Sequence, residues 1–218
     1  MVRIGSSEGL SGKLLDDLDQ AARLADEGHG VILDLHPAGE GTWPGRTDVY
    51  EVSRWERTLR RLERASMPLI AVAAETCSGP AAEVLLVTDY RIGTPDFRFQ
   101  AVTGRASWPG VALHRLACQL GVARARRLVL WPTSLPAGQA VDWGLLDEVA
   151  PDRDAALRRA NELLAGMTAA DGDDLALRRR LLLDAPALSV DDALGAHLAA
   201  CDRVLRRAGV PVGVGDLS

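Results

Sequence analysis

The stretch "PLIAVAAETCSGPAAEVLLVTDYRIG", Pro68 to Gly93, decides how this chain folds. Its first seven residues are a short apolar run of the kind found in parallel strands buried on both faces. A Gly79-Pro80 turn follows, then small and aliphatic residues among which a single carboxylate, Glu83, is set. "YRIG" closes the stretch as another short strand. A carboxylate among Ala, Val and Leu is costly to bury unless it is neutralised or has partners.

Working outward, the same alternation continues on both sides. "VRIGSS" reads as a short edge strand, and Ser11 precedes a helical pattern with Leu14, Leu15, Leu18, Ala22 and Ala25 on one side, ending near Gly28. "VILDL", Val31 to Leu35, is a second buried strand. The Gly/Pro-rich loop "HPAGEGTWPGRTD" leads into a helix from about Asp48 to Ala65, with Val49, Val52, Trp55, Leu59 and Leu62 as its expected buried stripe. Beyond Gly93, "FRFQ" reads as a strand, "PGVALHRLACQLG" and "ARARRLVLW" as helices, and "LPAGQAVDWGLLDEVA" as helix, turn and strand. From Pro151 onward the pattern is helical in three segments. This order predicts an α/β core over residues 1–150 and a helical region over 151–218.

Composition narrows the function classes. The 218 residues suit one domain, and a net charge of −5 gives no reason to expect a nucleic-acid partner. Arg60-Arg61 and the run Arg178–Arg180 are accordingly read as solvated helix faces. The three cysteines, Cys77, Cys118 and Cys201, form no C-x-x-C pair, so no zinc site or disulfide framework is signalled. Buried, reduced thiols in a cytoplasmic protein are the simplest expectation. No stretch approaches 18 uninterrupted apolar residues, so no membrane span is expected. Lys13 is the only lysine, which leaves Schiff-base chemistry almost no residue to use.

Several of these segments together resemble the crotonase (enoyl-CoA hydratase/isomerase) superfamily. "PLIAVAAETCSGPAAEVLLVTDYRIG" looks like its strand, glycine-rich turn and acid-bearing helix, followed by an Asp-x-Arg-Ile strand. "WPGVALHRLACQLGVARARRLVL" and "LPAGQAVDWGLLDEV" resemble two later family segments, and the match runs from about Gly30 to Ala150. The resemblance implies a ClpP/crotonase-like ββα-superhelix core and a hydratase- or dehydratase-like lyase acting on an acyl-CoA. It implies no cofactor beyond the coenzyme A of the substrate, and no metal. It also implies a homotrimer or hexamer assembled through C-terminal helices. More narrowly, "WPGRTDVYEVSRWERTLRRLERA", the missing N-terminal hairpin and the short length resemble the DpgB-type crotonases of dihydroxyphenylglycine biosynthesis. Those are auxiliary enzymes of antibiotic pathways that assist a type III polyketide synthase making 3,5-dihydroxyphenylacetyl-CoA.

Carried over residue by residue, the resemblance places the family's first catalytic acid at Glu83. A semi-buried carboxyl there is expected to titrate above the ordinary value of about 4.3, suiting acid/base work. The bland reading is a first-turn acid favoured by the helix dipole, worth about 0.3–1 kcal/mol. The family holds its enolate oxygen with two backbone N–H groups, a preorganised oxyanion hole. Thr47, in "WPGRTD", takes one donor position. The other falls on Pro80, which has no N–H, so Ala81 or Gly79 must supply the donor or that half of the hole is lost. The second hydratase glutamate is expected near "QAVTGR", where Gln100, Thr103 and Arg105 stand and no carboxylate does.

Trp43, His36, Thr103 and Trp108 are candidates to line the substrate pocket, with packing or strand-end hydrogen bonding as the alternatives. His114 is expected to be a core or interface residue, and Asp89 a structural anchor. A Clp-like serine peptidase, which shares the fold, is set aside: Ser78 lies five residues before the nucleophile position and no histidine follows in "RIGTPDFRFQAV". Two readings then remain, an acyl-thioester enzyme using Glu83 and a non-catalytic partner that stimulates a synthase.

Overall fold

The computed structural model describes residues 1–5, 9–37, 43–101, 110–131, 133–167 and 172–207. Its centre is a parallel sheet of five strands in the order β1-β2-β3-β5-β8: β1 (Val2–Ile4), β2 (Val31–Leu35), β3 (Leu69–Ala73), β5 (Tyr90–Gly93) and β8 (Glu148–Val149). A smaller sheet joins β4 (Thr76–Cys77), β6 (Arg98–Phe99) and β7 (Leu135–Pro136). β1 is an edge strand, and the two long apolar runs lie side by side with Val31 opposite Leu69 and Leu33 opposite Ala71.

Side chains alternate across a strand, and here both faces are covered. Val31, Leu33, Leu35, Leu69, Ala71 and Ala73 enter the larger core, under α1 (Gly12–Asp26), α2 (Val49–Glu63) and α3 (Gly79–Leu85). Ile32, Ile70, Val72 and Ile92 face the other way, onto Ala156 and Ala160 of α7 (Arg153–Ala165). That two-sided burial is why the strands read as continuous apolar runs.

The helices begin where short polar side chains can accept orphan N–H groups. Ser11 accepts from Leu14 N (3.3 Å), Asp48 from Glu51 N (2.9 Å) and Asp152 from Ala155 N (2.7 Å). Every residue of α3 is buried, as expected for a helix whose faces are apolar except for Glu83. The remaining helices are α4 (Ala112–Leu120), α5 (Val122–Leu130), α6 (Ala137–Asp142), α8 (Gly172–Asp184) and α9 (Val190–Arg207). Gly121, at φ 78°, makes the turn between α4 and α5, a conformation that L side chains rarely adopt. No helix among the described residues is long and apolar enough to cross a membrane.

Four sequence expectations are corrected. Val49 is 85% exposed, because the first turn of α2 runs past the edge of the core; Trp55, Thr58, Leu59 and Leu62 are the buried stripe. Cys77 is buried, which pushes its thiol strongly up, but Cys118 and Cys201 lie on the outer faces of α4 and α9 and are exposed. His114 is exposed on this chain and so is not a core residue, which leaves the interface alternative open; its Nε2 lies 3.7 Å from Cys118 Sγ. Arg179 is not on a solvated face. Its side chain is only 10% exposed, and its guanidinium binds Asp89 and three backbone carbonyls. Asp89 is the anchor its position suggested: Leu69 N donates to its Oδ2 at 2.8 Å.

Candidate active site

Glu83 lies on α3, 3% exposed, and its two carboxylate oxygens are gripped separately. Trp43 Nε1 donates to Oε1 and Trp55 Nε1 donates to Oε2, each at 2.7 Å. The two indoles meet edge to face, their centroids 5.1 Å apart with planes at 65°. Moving a carboxylate from water into such surroundings costs several kcal/mol. Two hydrogen bonds to a charged acceptor, each contributing about 1.5–3 kcal/mol, offset most of that. An indole N–H can only donate and each carboxyl oxygen has lone pairs to accept it, so the two tryptophans match the acid.

Three elements converge to make this grip. The loop leaving β2 delivers Trp43, α2 delivers Trp55, and α3 delivers Glu83. Helix α4 closes the site from the side and is tied to both neighbours. Arg115 reaches Glu56 at 3.1 Å and Glu63 at 3.3 Å on α2, Glu56 also accepts from Val111 N at the start of α4, and Gln119 Nε2 donates to Leu86 O at the end of α3. Beside Glu83 is a cavity of about 20 Å³, bordered by Trp43, Gly79, Ala82, Phe99 and Leu116 among others. It has room for about one water.

The turn into α3 is unusual. Gly79 has φ 53° and Pro80 stands at the second helical position. The first helix-start bond runs from Ala82 N to Ser78 O at 3.4 Å. The N–H groups of Gly79 and Ala81 therefore precede the helix ladder, and Pro80 has none. Gly79 borders the cavity; Ala81, although fully buried, does not. Thr47 sits just before the Asp48 cap, its hydroxyl donating to Glu51 Oε2 at 2.8 Å, and does not border the cavity either.

The other candidates separate. Trp43 meets Glu83 directly. His36 lies in a polar cluster on the α7 side of the sheet instead. Its Nε2 is 2.9 Å from Asp34 Oδ2, Arg3 Nε is 2.9 Å from the same nitrogen, and Arg153 bridges Asp34 at 2.7 Å and Leu35 O at 3.2 Å. This follows from strand alternation: Asp34 shares its face with Ile32, which points at α7. Thr103, Arg105 and Trp108 lie outside the described residues. Gln100, which is described, uses its backbone N–H on Cys77 O at 3.0 Å.

Trp55, which donates to Glu83, is the candidate-site residue that sequence reasoning placed only in an apolar stripe. The available signal was its polar tip, since a buried indole N–H needs an acceptor. A coupling test follows. Trp55→Phe leaves Oε2 without a donor and should lower stability by about 1–3 kcal/mol, and Glu83→Gln, which sets an amide N–H against an indole N–H, should cost a similar amount. In urea unfolding the double variant should cost less than the sum by at least about 1 kcal/mol. Strict additivity would show that the grip is not a coupled unit.

Comparison with known proteins agrees with this architecture. The family model described as enoyl-CoA hydratase/isomerase matches residues 38–180. An enoyl-CoA-hydratase from Amycolatopsis orientalis is 37% identical over 211 residues, covering 95% of this chain and 96% of that protein. Among solved structures, an enoyl-CoA hydratase/isomerase from Marinobacter aquaeolei superposes with a TM-score of 0.72 at 17% identity, covering 91% of this chain and 83% of the other. An enoyl-CoA hydratase from Bacillus anthracis gives 0.70 at 20% identity, covering 91% and 82%. The structural matches speak for the fold alone, but the family match and the full-length relative go further. With the family model matched over residues 38–180 and a relative 37% identical along nearly its whole length, the chain belongs to the enoyl-CoA hydratase/isomerase family of acyl-CoA enzymes.

Proposed function

We propose that the chain uses Glu83 as a single acid/base on a coenzyme A thioester, in a dehydration or enolisation rather than a two-acid hydration. The observation that carries this reading is the buried carboxylate held at both oxygens by indole N–H groups on the wall of a cavity. Such a grip fixes the acid's position, and proton transfer requires an acid held within hydrogen-bond reach. In the proposed cycle the carboxylate takes the proton α to the thioester carbonyl, and the electron pair passes to the carbonyl oxygen. When that enolate collapses, a β-hydroxyl leaves with the proton from Glu83 as water. One carboxyl thus serves both steps. Gly79, on the cavity wall, is the favoured oxyanion donor from α3, whereas Thr47, which does not border the cavity, can serve as the second donor only if its turn moves toward Gly79.

The substrate we assign is a polyketide thioester on the way to 3,5-dihydroxyphenylacetyl-CoA, with the chain assisting a type III polyketide synthase in antibiotic biosynthesis. The resemblance of "WPGRTDVYEVSRWERTLRRLERA" supports this assignment, and so does the tryptophan beside the acid, which suits an aromatic product. Assembly as a homotrimer or hexamer through the region 151–218 belongs to the same reading. The exposed Leu194, Leu198 and Leu205 of α9 support it.

A second reading is favoured by two observations. Pro80 removes an N–H from the turn, and the cavity holds little more than a water. Under it the chain is a non-catalytic partner that binds and stimulates the synthase. In a reconstituted synthase assay, Glu83→Gln should abolish stimulation of product formation, while Trp55→Phe, which keeps the carboxylate, should retain part of it. Undiminished stimulation by Glu83→Gln would sink the acid/base role and leave the partner reading. If the turn limits catalysis, Pro80→Gly should raise turnover by about tenfold or more, since one oxyanion donor is worth at least that much. No gain would mean that Gly79 already fills the position.

A further inference from the structure

At the far end of α2 from the grip on Glu83, a second and much larger cavity of about 350 Å³ opens between α2, α8 and α9. By helix rise, Arg64 lies about 13 Å along α2 from Trp55. The described walls are Arg64, Ala176, Leu177, Arg179, Arg180 and Arg203, so four of six carry a guanidinium and none a carboxylate. In a chain of net charge −5 this is a local concentration of positive charge, not a generally basic surface. Its volume is within the range of small-ligand sites, about 300–1,000 Å³.

The four arginines divide the work. Arg179 is a strut: its Nε donates to Asp89 Oδ1 at 2.7 Å, and its Nη atoms bind the carbonyls of Glu63, Ala65 and Met67 where α2 ends. A cation there meets the negative end of the helix dipole and fixes α8 against the body of the domain. Arg64 and Arg180 reach the same carboxylate, Asp184, at 3.0 and 3.9 Å, and both are largely exposed, 49% and 72%. Each guanidinium has five N–H donors, so one shared carboxylate uses few of them. Arg203 completes the wall from α9. Among the described residues, Asp202 pairs with Arg206 and Asp174 with Arg207.

Two guanidiniums converging on one oxyanion, with a fixed cation behind them, is the geometry that phosphate groups select. The structure assigns this cavity to a small phosphorylated ligand, a phosphomonoester or diphosphate, distinct from the thioester at Glu83. The assignment stands whether or not Glu83 is catalytic. Inorganic pyrophosphate is the probe. By titration calorimetry the protein should bind it saturably, one per chain, with an affinity that falls as salt is added. Arg64→Gln/Arg180→Gln should weaken binding at least tenfold with the urea midpoint little changed, since both side chains are exposed. Binding should persist in protein saturated with coenzyme A. Absence of saturable binding, equal binding by the double variant, or displacement of pyrophosphate by coenzyme A would each overturn the assignment.

Discussion

A carboxyl group buried among Ala, Val and Leu needs hydrogen-bond partners, and the two indole N–H groups aimed at Glu83 meet that demand. Much of the local structure follows from it. Trp43 reaches the acid from a residue 40 positions earlier in the chain. Trp55 can arrive only if α2 lies with its buried stripe against the same helix. The edge-to-face contact of the two rings then leaves one arrangement in which both nitrogens reach the acid. The polar contact is therefore also a packing constraint, fixing the relative positions of three elements that are far apart in sequence.

Around this grip the fold supplies rigidity. Arg115, itself buried, links α4 to α2 through Glu56 and Glu63, and Gln119 links it to the end of α3. An acid fixed on one wall and a helix pinned on the other give a narrow, preorganised space, as catalysis by positioning requires. Among the described residues, the cavity left beside Glu83 measures only about 20 Å³. Pro80 works in the same direction: it stiffens the start of α3 and supplies no N–H to the turn. On the proposed reading, the balance between a well-held acid and a turn short of one N–H is what would separate an enzyme from a binding partner.

How far the sequence could be read depends on the range of the forces involved. Caps and apolar runs are local, so Ser11, Asp48 and the strands Val31–Leu35 and Leu69–Ala73 were legible directly. Glu83 stood out as an isolated carboxylate, and the resemblance put it in register with a known acid. The contact with Trp55 spans 28 residues and depends on how α2 docks, which no local pattern encodes. Arg179 shows the same limit from the other side. Within a run of three arginines it looked solvated, and only the docking of α8 against Asp89 and the end of α2 turns it inward. Val49 kept the helical period but fell beyond the core's edge, because a period fixes a face and not how far the core extends.

The central claim is that the gripped carboxylate moves a proton on a thioester. Exchange of the α-hydrogens of a coenzyme A thioester with D₂O, followed by NMR, reads that step without requiring the full reaction or the natural substrate. Wild-type protein should accelerate the exchange and Glu83→Gln should reduce it to the rate without protein. If both exchange α-hydrogens no faster than buffer, the indole grip is structural and the account of Glu83 as an acid/base is wrong.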